Sequence, residues 1–253
     1  MKALFKILGR TSKPTTFSSI CPERPVWVIG DVHGRFDLLN QILEKIETHP
    51  VAHANVVMVG DYVDRGDESD KVLSMLHNLD QQLDGLTLLM GNHEEMMLEF
   101  LESPESHGRR WLRNGGLQTL ASYGIGGLSE AAPNELLKEA SERLRSAMPA
   151  GQEDWLKALP KQWNQGNLHV VHAGADPNTP MSFQSAATLI WGHPDFFTTP
   201  RDDDQWVVHG HTITDQPGPD GQGRIAVDTG AYYSGILTAA LIDPDGTVSL
   251  VQT

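Results

Sequence analysis

Cysteine is nearly absent. Cys21 is the only one in 253 residues, so no internal disulfide can form, which fits a reducing compartment. Positive charge is scarce as well: 19 Lys and Arg stand against 33 Asp and Glu, for a net charge of −14. Such a surface repels nucleic acid and anionic membrane, and we expect neither as a partner. An anionic substrate would need a local positive centre, either a metal ion or a placed arginine. Long apolar runs are missing too. Nothing approaches a membrane span, and the opening "MKALFKILGR" is too broken for a secretory signal, so a cytoplasmic protein is expected. No internal repeat or low-complexity segment stands out.

What is present is a regular alternation. Residues 1–24, punctuated by Ser, Thr and Pro, read as a poorly ordered leader that would leave Cys21 a spectator; 25–253 read as one domain. "PVWVIG" (25–30), "NVVMVG" (55–60) and "LTLLMG" (86–91) are short apolar runs bounded by turn residues, the pattern of strands buried on both faces. Helical spacing follows over 36–48 and 69–83, the latter opened by the acidic Asp67, Glu68 and Asp70, and again in "HEEMMLEFL". The first hundred residues thus read β-α-β-α-β-α at the size of βαβ units. Residues 107–165 are expected to form a mostly helical insertion. Strands resume at 167–174, 205–212, 224–230, 236–243 and 247–251, the last three predicted to form an antiparallel sheet; the acidic "PRDDDQ" (200–205) reads as a solvated loop.

Each early strand ends in glycine and then a polar residue: "VIGDVHG", "MVGDYVDRG", "LMGNHE". Ligands of open α/β sheets bind beyond the carboxyl ends of the strands. Adjacent strands would therefore deliver Asp31 with His33, Asp61 with Asp64 and Arg65, and Asn92 with His93 to one crevice; "VVHAG" and "VVHGHT" add His172, His209 and His211. The donors are oxygen and imidazole without thiolate, which suits Mn, Fe, Zn or Mg. They are too many for one open site and fit two ions sharing a carboxylate, about 3.5–4 Å apart, an arrangement suited to in-line displacement at phosphorus. Arg65 offers a fork of donors for a phosphate, and His93 could protonate a leaving oxygen while Asp64 fixes its tautomer.

The ordered set "GDVHG", "GDYVDRG", "GNHE", "HAG" and "GHT", extended by "WLRNGG", "LIWG" and "VDTGAYYSG", resembles the PPP superfamily of metal-dependent phosphoprotein phosphatases, in particular its compact bacterial and bacteriophage members, over residues 26–243. The resemblance implies a calcineurin-like metallophosphoesterase fold, an α/β sandwich with the dimetal site at strand ends. Asp31 and His33 look like ligands of a first metal, Asp61 the bridging ligand, and Asn92, His172 and His211 ligands of a second. Manganese is the first expectation for both ions. Arg65 resembles the phosphoryl-gripping arginine, His93 the acid for the leaving alkoxide and Asp64 its orienting partner. The implied reaction is hydrolysis of phosphoserine or phosphothreonine, with phosphotyrosine in range, in a protein or peptide substrate, by direct attack of a metal-bound hydroxide. A dinucleoside polyphosphate hydrolase and a silent scaffold are the alternatives. Oligomeric state is left open.

One departure stands out. After "LIW" relatives carry an arginine that contacts phosphate, where this chain has His193. Arg109, Arg110 or Arg113 from the insertion are candidate substitutes. His209 and His169 read as packed rather than ligating, and His49, His53, His77 and His107 as exposed. Asp228 reads as supporting the site from behind, and Tyr233 as standing at the cleft rim.

Overall fold

The computed structural model describes residues 17–51 and 53–253. In chain order the first strands and helices are β1 (Val26–Ile29), α1 (Phe36–Glu47), β2 (Asn55–Met58), α2 (Ser69–Asp80), β3 (Leu86–Leu88) and α3 (Asn92–Glu102). The insertion follows as α4 (Pro104–Trp111), a kinked turn over Leu112–Gly116, α5 (Leu117–Ser122), α6 (Asn134–Ala147) and α7 (Gln152–Ala158). The remaining strands and α-helices are β4 (Gln162–Gln165), β5 (Leu168–Val171), α8 (Ala186–Trp191), β6 (Trp206–His209), β7 (Gly218–Pro219), β8 (Arg224–Ala226), α9 (Ala231–Ser234), β9 (Thr238–Ile242) and β10 (Val248–Gln252).

The strands make two five-stranded sheets, ordered β10-β9-β1-β2-β3 and β4-β5-β6-β8-β7. β1 is central to the first, parallel to β2 and antiparallel to β9. Alternation along it explains the continuous apolar run. Val26 and Val28 enter the core between the sheets with Val57, Val59, Val170 and Val208, whereas Trp27 and Ile29 enter the core under the helices with Leu39, Ile42, Leu73 and Leu76. Each such side chain taken out of water contributes about 1.5–3 kcal/mol, so both faces of β1 are committed and its end is held rigidly. Among the described residues no helix is long and apolar enough to cross a membrane.

Three expectations change. First, Phe17–Arg24, expected to be part of the leader, belong to the fold: Phe17 lies edge-on to Trp206 at 5.1 Å, and the Cys21 amide donates to Asn167 Oδ1 at 2.9 Å. The rest of the leader, residues 1–16, lies outside the described residues. Second, the 107–165 insertion is helical only as far as α7. Its end forms the edge strand β4, whose sequence "QWNQ" pairs antiparallel with β5. Third, β8, β9 and β10 do not share a sheet. β8 lies parallel to β6 in the second sheet, and the chain crosses at Gly230 (φ 66°) and α9 before β9 joins β1. Sequence proximity favours pairing β8 with β9, but Ile225 and Val227 fill the core between the sheets, which places β8 opposite the first sheet.

Candidate metal centre

The crevice at the carboxyl ends of β1, β2, β3, β5 and β6 collects Asp31, His33, Asp61, Asp64, Arg65, Asn92, His93, His172 and His211. All but Arg65 and His211 are buried. Backbone strain marks the same place. His33, Asp61, Asp64, Arg65 and His211 hold positive φ of 46°, 53°, 73°, 68° and 61°. Non-glycine residues hold that region at a cost of about 1–3 kcal/mol each, and such strain concentrates at functional sites.

Asp61 is the hub. Its Oδ2 lies 3.5 Å from His33 Nε2 and 3.9 Å from His93 Nε2, and its Oδ1 lies 3.4 Å from His172 Nε2. Two clusters of ligand atoms share it: His33, Asp61 and His93, and Asp61, His172 and His211, each within 4.8 Å of one another. Asn92 Oδ1 stands 2.9 Å from His172 Nε2 and 2.8 Å from His211 Nδ1. The tautomers follow from the outer bonds. His33 Nδ1 lies 2.8 Å from Val63 O and His172 Nδ1 lies 3.1 Å from Val59 O, so each donates there and turns an unprotonated Nε2 inward, as a metal ligand requires. Asp31 stands at the edge: Oδ2 accepts the His211 amide at 3.0 Å, while buried Oδ1 has no partner among the described residues. A Cβ on Gly210 would lie 1.9 Å from that oxygen, and one on Gly91 2.2 Å from Asp61 Oδ1, so only glycine admits either carboxylate.

Electrostatics fits the same purpose. Burial, then the neighbouring carboxylates of Asp228 and Asp61, pushes Asp31 well above the usual carboxylate range. Burial pushes His33 down to about 3 and His172 to about 4. Burial opposes ionisation of Asp61 too, but His172, His93 and His33 around it hold it below the ordinary value. An orphaned carboxylate oxygen, crowded acids and neutral imidazoles with inward lone pairs are the donor chemistry of hard and borderline divalent cations, so the residues present fit a metal pair.

Beside this group His93 Nδ1 lies 2.6 Å from Asp64 Oδ2, and His93 Nε2 lies 3.1 Å from Arg65 Nη2, whose Nη1 is 3.2 Å from His33 Nε2. Burial disfavours a charged His93, yet Asp61 and Asp64 outweigh it and raise its pKa. Asp64 is buried and also accepts from Trp111 Nε1 (3.0 and 2.9 Å) and Thr119 Oγ1 (2.6 Å). The insertion thus reaches into the centre.

Asp228 is buried behind Asp31, accepts the Gly230 amide at 2.8 Å, and is raised to about 6 by burial and then by Asp61. At the rim it is Tyr232 that covers the site, 5.5 Å from the His33 ring and 4.9 Å from the Arg65 guanidinium, while Tyr233 stands 62% exposed outside. His209 packs edge-on against Phe196 at 5.1 Å and joins neither cluster; His169, on β5, bonds the Gln205 side chain. His193 lines a cavity of about 290 Å³ with His211 and Trp191. Of the arginines in the insertion, Arg109 donates to Asn134, Arg110 stacks over Trp191 at 4.5 Å and Arg113 shares a cavity with Arg65.

Glu94 was not singled out in the sequence. It accepts from the amides of Asp61 (2.8 Å), Tyr62 (2.7 Å), Val63 (3.2 Å) and Gly91 (2.9 Å), and so shapes the loop that presents Asp61. Its position three residues into "GNHE", where an acidic side chain caps a helix start, is the signal that could have found it.

The family model of the calcineurin-like phosphoesterases matches residues 24–215, which span every strand from β1 to β6 and the crevice residues from Asp31 to His211. The chain belongs to this family. Its members are phosphoesterase hydrolases with a dinuclear metal centre, and the two clusters meeting at Asp61 are the groups able to hold metal here. "Serine/threonine-protein phosphatase 2" of Escherichia coli is 39% identical over 93 residues, which cover 37% of this chain and 39% of that relative's length. "Bis(5'-nucleosyl)-tetraphosphatase PrpE [asymmetrical]" of Geobacillus thermodenitrificans is 28% identical over 247 residues, covering 88% of this chain and 92% of the relative. Among solved structures, the cold-active protein-tyrosine phosphatase of a psychrophilic Shewanella shares the fold with a TM-score of 0.58 at 21% identity, over 90% of this chain and 80% of that one.

Proposed function

We propose that this phosphoesterase is a dimetal-dependent phosphomonoesterase acting on phosphoserine and phosphothreonine in proteins, with phosphotyrosine and small aryl phosphates also within reach of its open cleft, and that it works in the cytoplasm. The observation that carries the reading is the division of the Asp61 oxygens between two imidazole clusters beside an acid pair, His93 and Asp64, and Arg65, whose two Nη groups lie against His33 and His93. Asp31 and His33 would hold one ion, Asn92, His172 and His211 the other, with Asp61 between them and manganese as the metal. When bound, two such ions supply Lewis-acid stabilisation of phosphoryl oxygens and lower the pKa of water.

The chain's own residues do the rest. Arg65 turns its two Nη groups from His33 and His93 to the phosphoryl oxygens and fixes the ester in line. His93 holds a proton on Nε2 for the departing serine or threonine oxygen. Asp64 holds the Nδ1–H, and against burial Asp61 and Asp64 raise the His93 pKa in favour of the protonated form. The buried walls exclude water from these bonds and strengthen them.

A second reading is favoured by the long match to the tetraphosphatase relative: hydrolysis of dinucleoside polyphosphates. "DRG" and "GNHE" lean away from it. Steady-state rates on a phosphothreonine peptide and on diadenosine tetraphosphate, with manganese loaded and metal content measured, separate the two. Faster turnover of the dinucleotide would replace the first reading. An Asp61→Asn protein that keeps two ions would contradict the shared carboxylate, and metal without turnover of either substrate would leave only a scaffold.

A further inference from the structure

On the insertion side of the centre lies a second cavity of about 380 Å³, lined by Arg65 and Tyr232 from the site and by Arg113, Asn114, Gln118 and Glu130 from the insertion. It opens directly onto the arginine that faces the phosphoryl position.

The wall is built by the turn Leu112–Gly116, where the helical path between α4 and α5 is kinked at Gly115 (φ 107°, ψ 2°). The turn is locked to Arg65. The Arg65 amide points at Gly115 O at 3.4 Å, and Gly115, at φ 107°, lets the two backbones touch: a Cβ there would lie 2.6 Å from the Arg65 nitrogen. The Arg113 Nε donates to Arg109 O at 3.1 Å, which fixes the plane of its guanidinium. Among the described residues its two Nη groups bond to nothing and no carboxylate pairs with it. Arg113, Asn114 and Gln118 are exposed, so the donors are open to solvent. In a chain of net charge −14 this wall and Arg65 form a local cationic surface next to the reaction centre.

We propose that this cavity is a subsite for a second anionic group on the substrate, a carboxylate or a further phosphate on a residue flanking the phosphorylated one, with Arg113 as its specificity-determining residue. The assignment rests on the protein-phosphatase reading above. Two arginines lining one cavity offer two separate forks of donors, one for the scissile phosphate and one for its anionic neighbour. Glu130, exposed at the same cavity, keeps the subsite from gripping anions indiscriminately by opposing them in water.

The test compares kcat/KM for p-nitrophenyl phosphate, a phosphothreonine peptide with neutral flanks, the same peptide with flanking glutamates, and the same peptide with a flanking phosphoserine, in wild type, Arg113→Gln and Arg113→Glu. At least one of the anionic peptides should be preferred over the neutral one by about tenfold, as a charged hydrogen bond allows. Arg113→Gln should erase that preference through KM, Arg113→Glu should invert it, and added salt should weaken it in wild type alone. The aryl phosphate should be turned over equally by all three proteins. Which anionic peptide responds to Arg113 identifies the source of the anion. Equal effects of the substitutions on neutral and anionic peptides, or no effect on either, overturn the subsite. No turnover of any peptide with intact aryl phosphate hydrolysis shows instead that the protein-phosphatase reading has failed, and the subsite goes with it.

Discussion

Trp111 Nε1 sits 3.0 and 2.9 Å from the two oxygens of the Asp64 carboxylate, in a pocket where both residues are fully buried. The tryptophan belongs to α4 of the insertion, the carboxylate to the loop after β2. The acid pair His93–Asp64 is therefore anchored by a segment outside the sandwich. Trp111→Phe keeps the ring contact with Phe100 but removes the donor. The variant is expected to lose about 1–3 kcal/mol of stability and about tenfold in kcat, because a hydrogen bond to a charged group is worth about that much. KM and metal content should hold. The kcat/KM split with metal analysis checks this; a loss confined to stability would make Trp111 a packing residue only.

His93→Asn removes the proton that the pair holds. A general-acid contribution is about 10²–10⁴-fold, so kcat on a phosphothreonine peptide should fall by that factor. The second part of the expectation concerns metal. His93 Nε2 lies in the same cluster as His33 and Asp61, so it could ligate as well as protonate. Two ions retained in the variant, measured by elemental analysis, assign it the proton role; one ion lost assigns it to the metal. Unchanged kcat removes it from the mechanism.

Much of this site was legible because of where its residues sit in the chain. Asp31, Asp61 and Asn92 each follow an apolar run that ends in glycine, the pattern of a strand buried on both faces. Strand ends in one sheet are neighbours, so the juxtaposition followed from local pattern alone. What stayed hidden depends on distance along the chain. Thr119 reaches Asp64 from 55 residues away, and Glu94 acts on amides more than 30 residues before it. Neither leaves a periodic trace. Tyr232 and Tyr233 are adjacent and chemically alike, and only the turn of α9 decides which ring faces His33. β4 is a polar edge strand without the apolar run that announces β1, β2 and β3, so its sequence does not separate it from the insertion.

His193 stands in the cavity beside His211 and accepts the Asp195 amide on Nδ1 at 3.2 Å. An imidazole tied into its own turn contributes little to an anion in that opening. His193→Arg adds a planar fork of donors there. Inhibition by orthophosphate and by vanadate should tighten by about tenfold, the size of one charged hydrogen bond. Inhibition constants against p-nitrophenyl phosphate measure it. No tightening would mean that Arg65 already saturates the phosphoryl oxygens.

His209 makes the apoprotein sensitive to acid. It is buried at the end of β6, donates from Nδ1 to Gly210 O at 3.0 Å, and lies edge-on to Phe196 and Phe197. Burial pushes it down to about 4 from an ordinary value of 6.5. The folded form thus stays neutral in a range where the unfolded chain takes up a proton. Stability is full above about pH 6.5 and is lost as pH falls toward 4, at up to about 1.4 kcal/mol per pH unit for one proton. His33 and His172, also depressed, add to the same slope in metal-free protein. His209→Gln leaves those two in place and deletes one proton from the difference. Between pH 6.5 and 5 the metal-free variant should lose about 2 kcal/mol less than wild type. Urea midpoints at the two pH values read this directly, and equal losses in the two proteins would show that His209 is not held neutral by the fold.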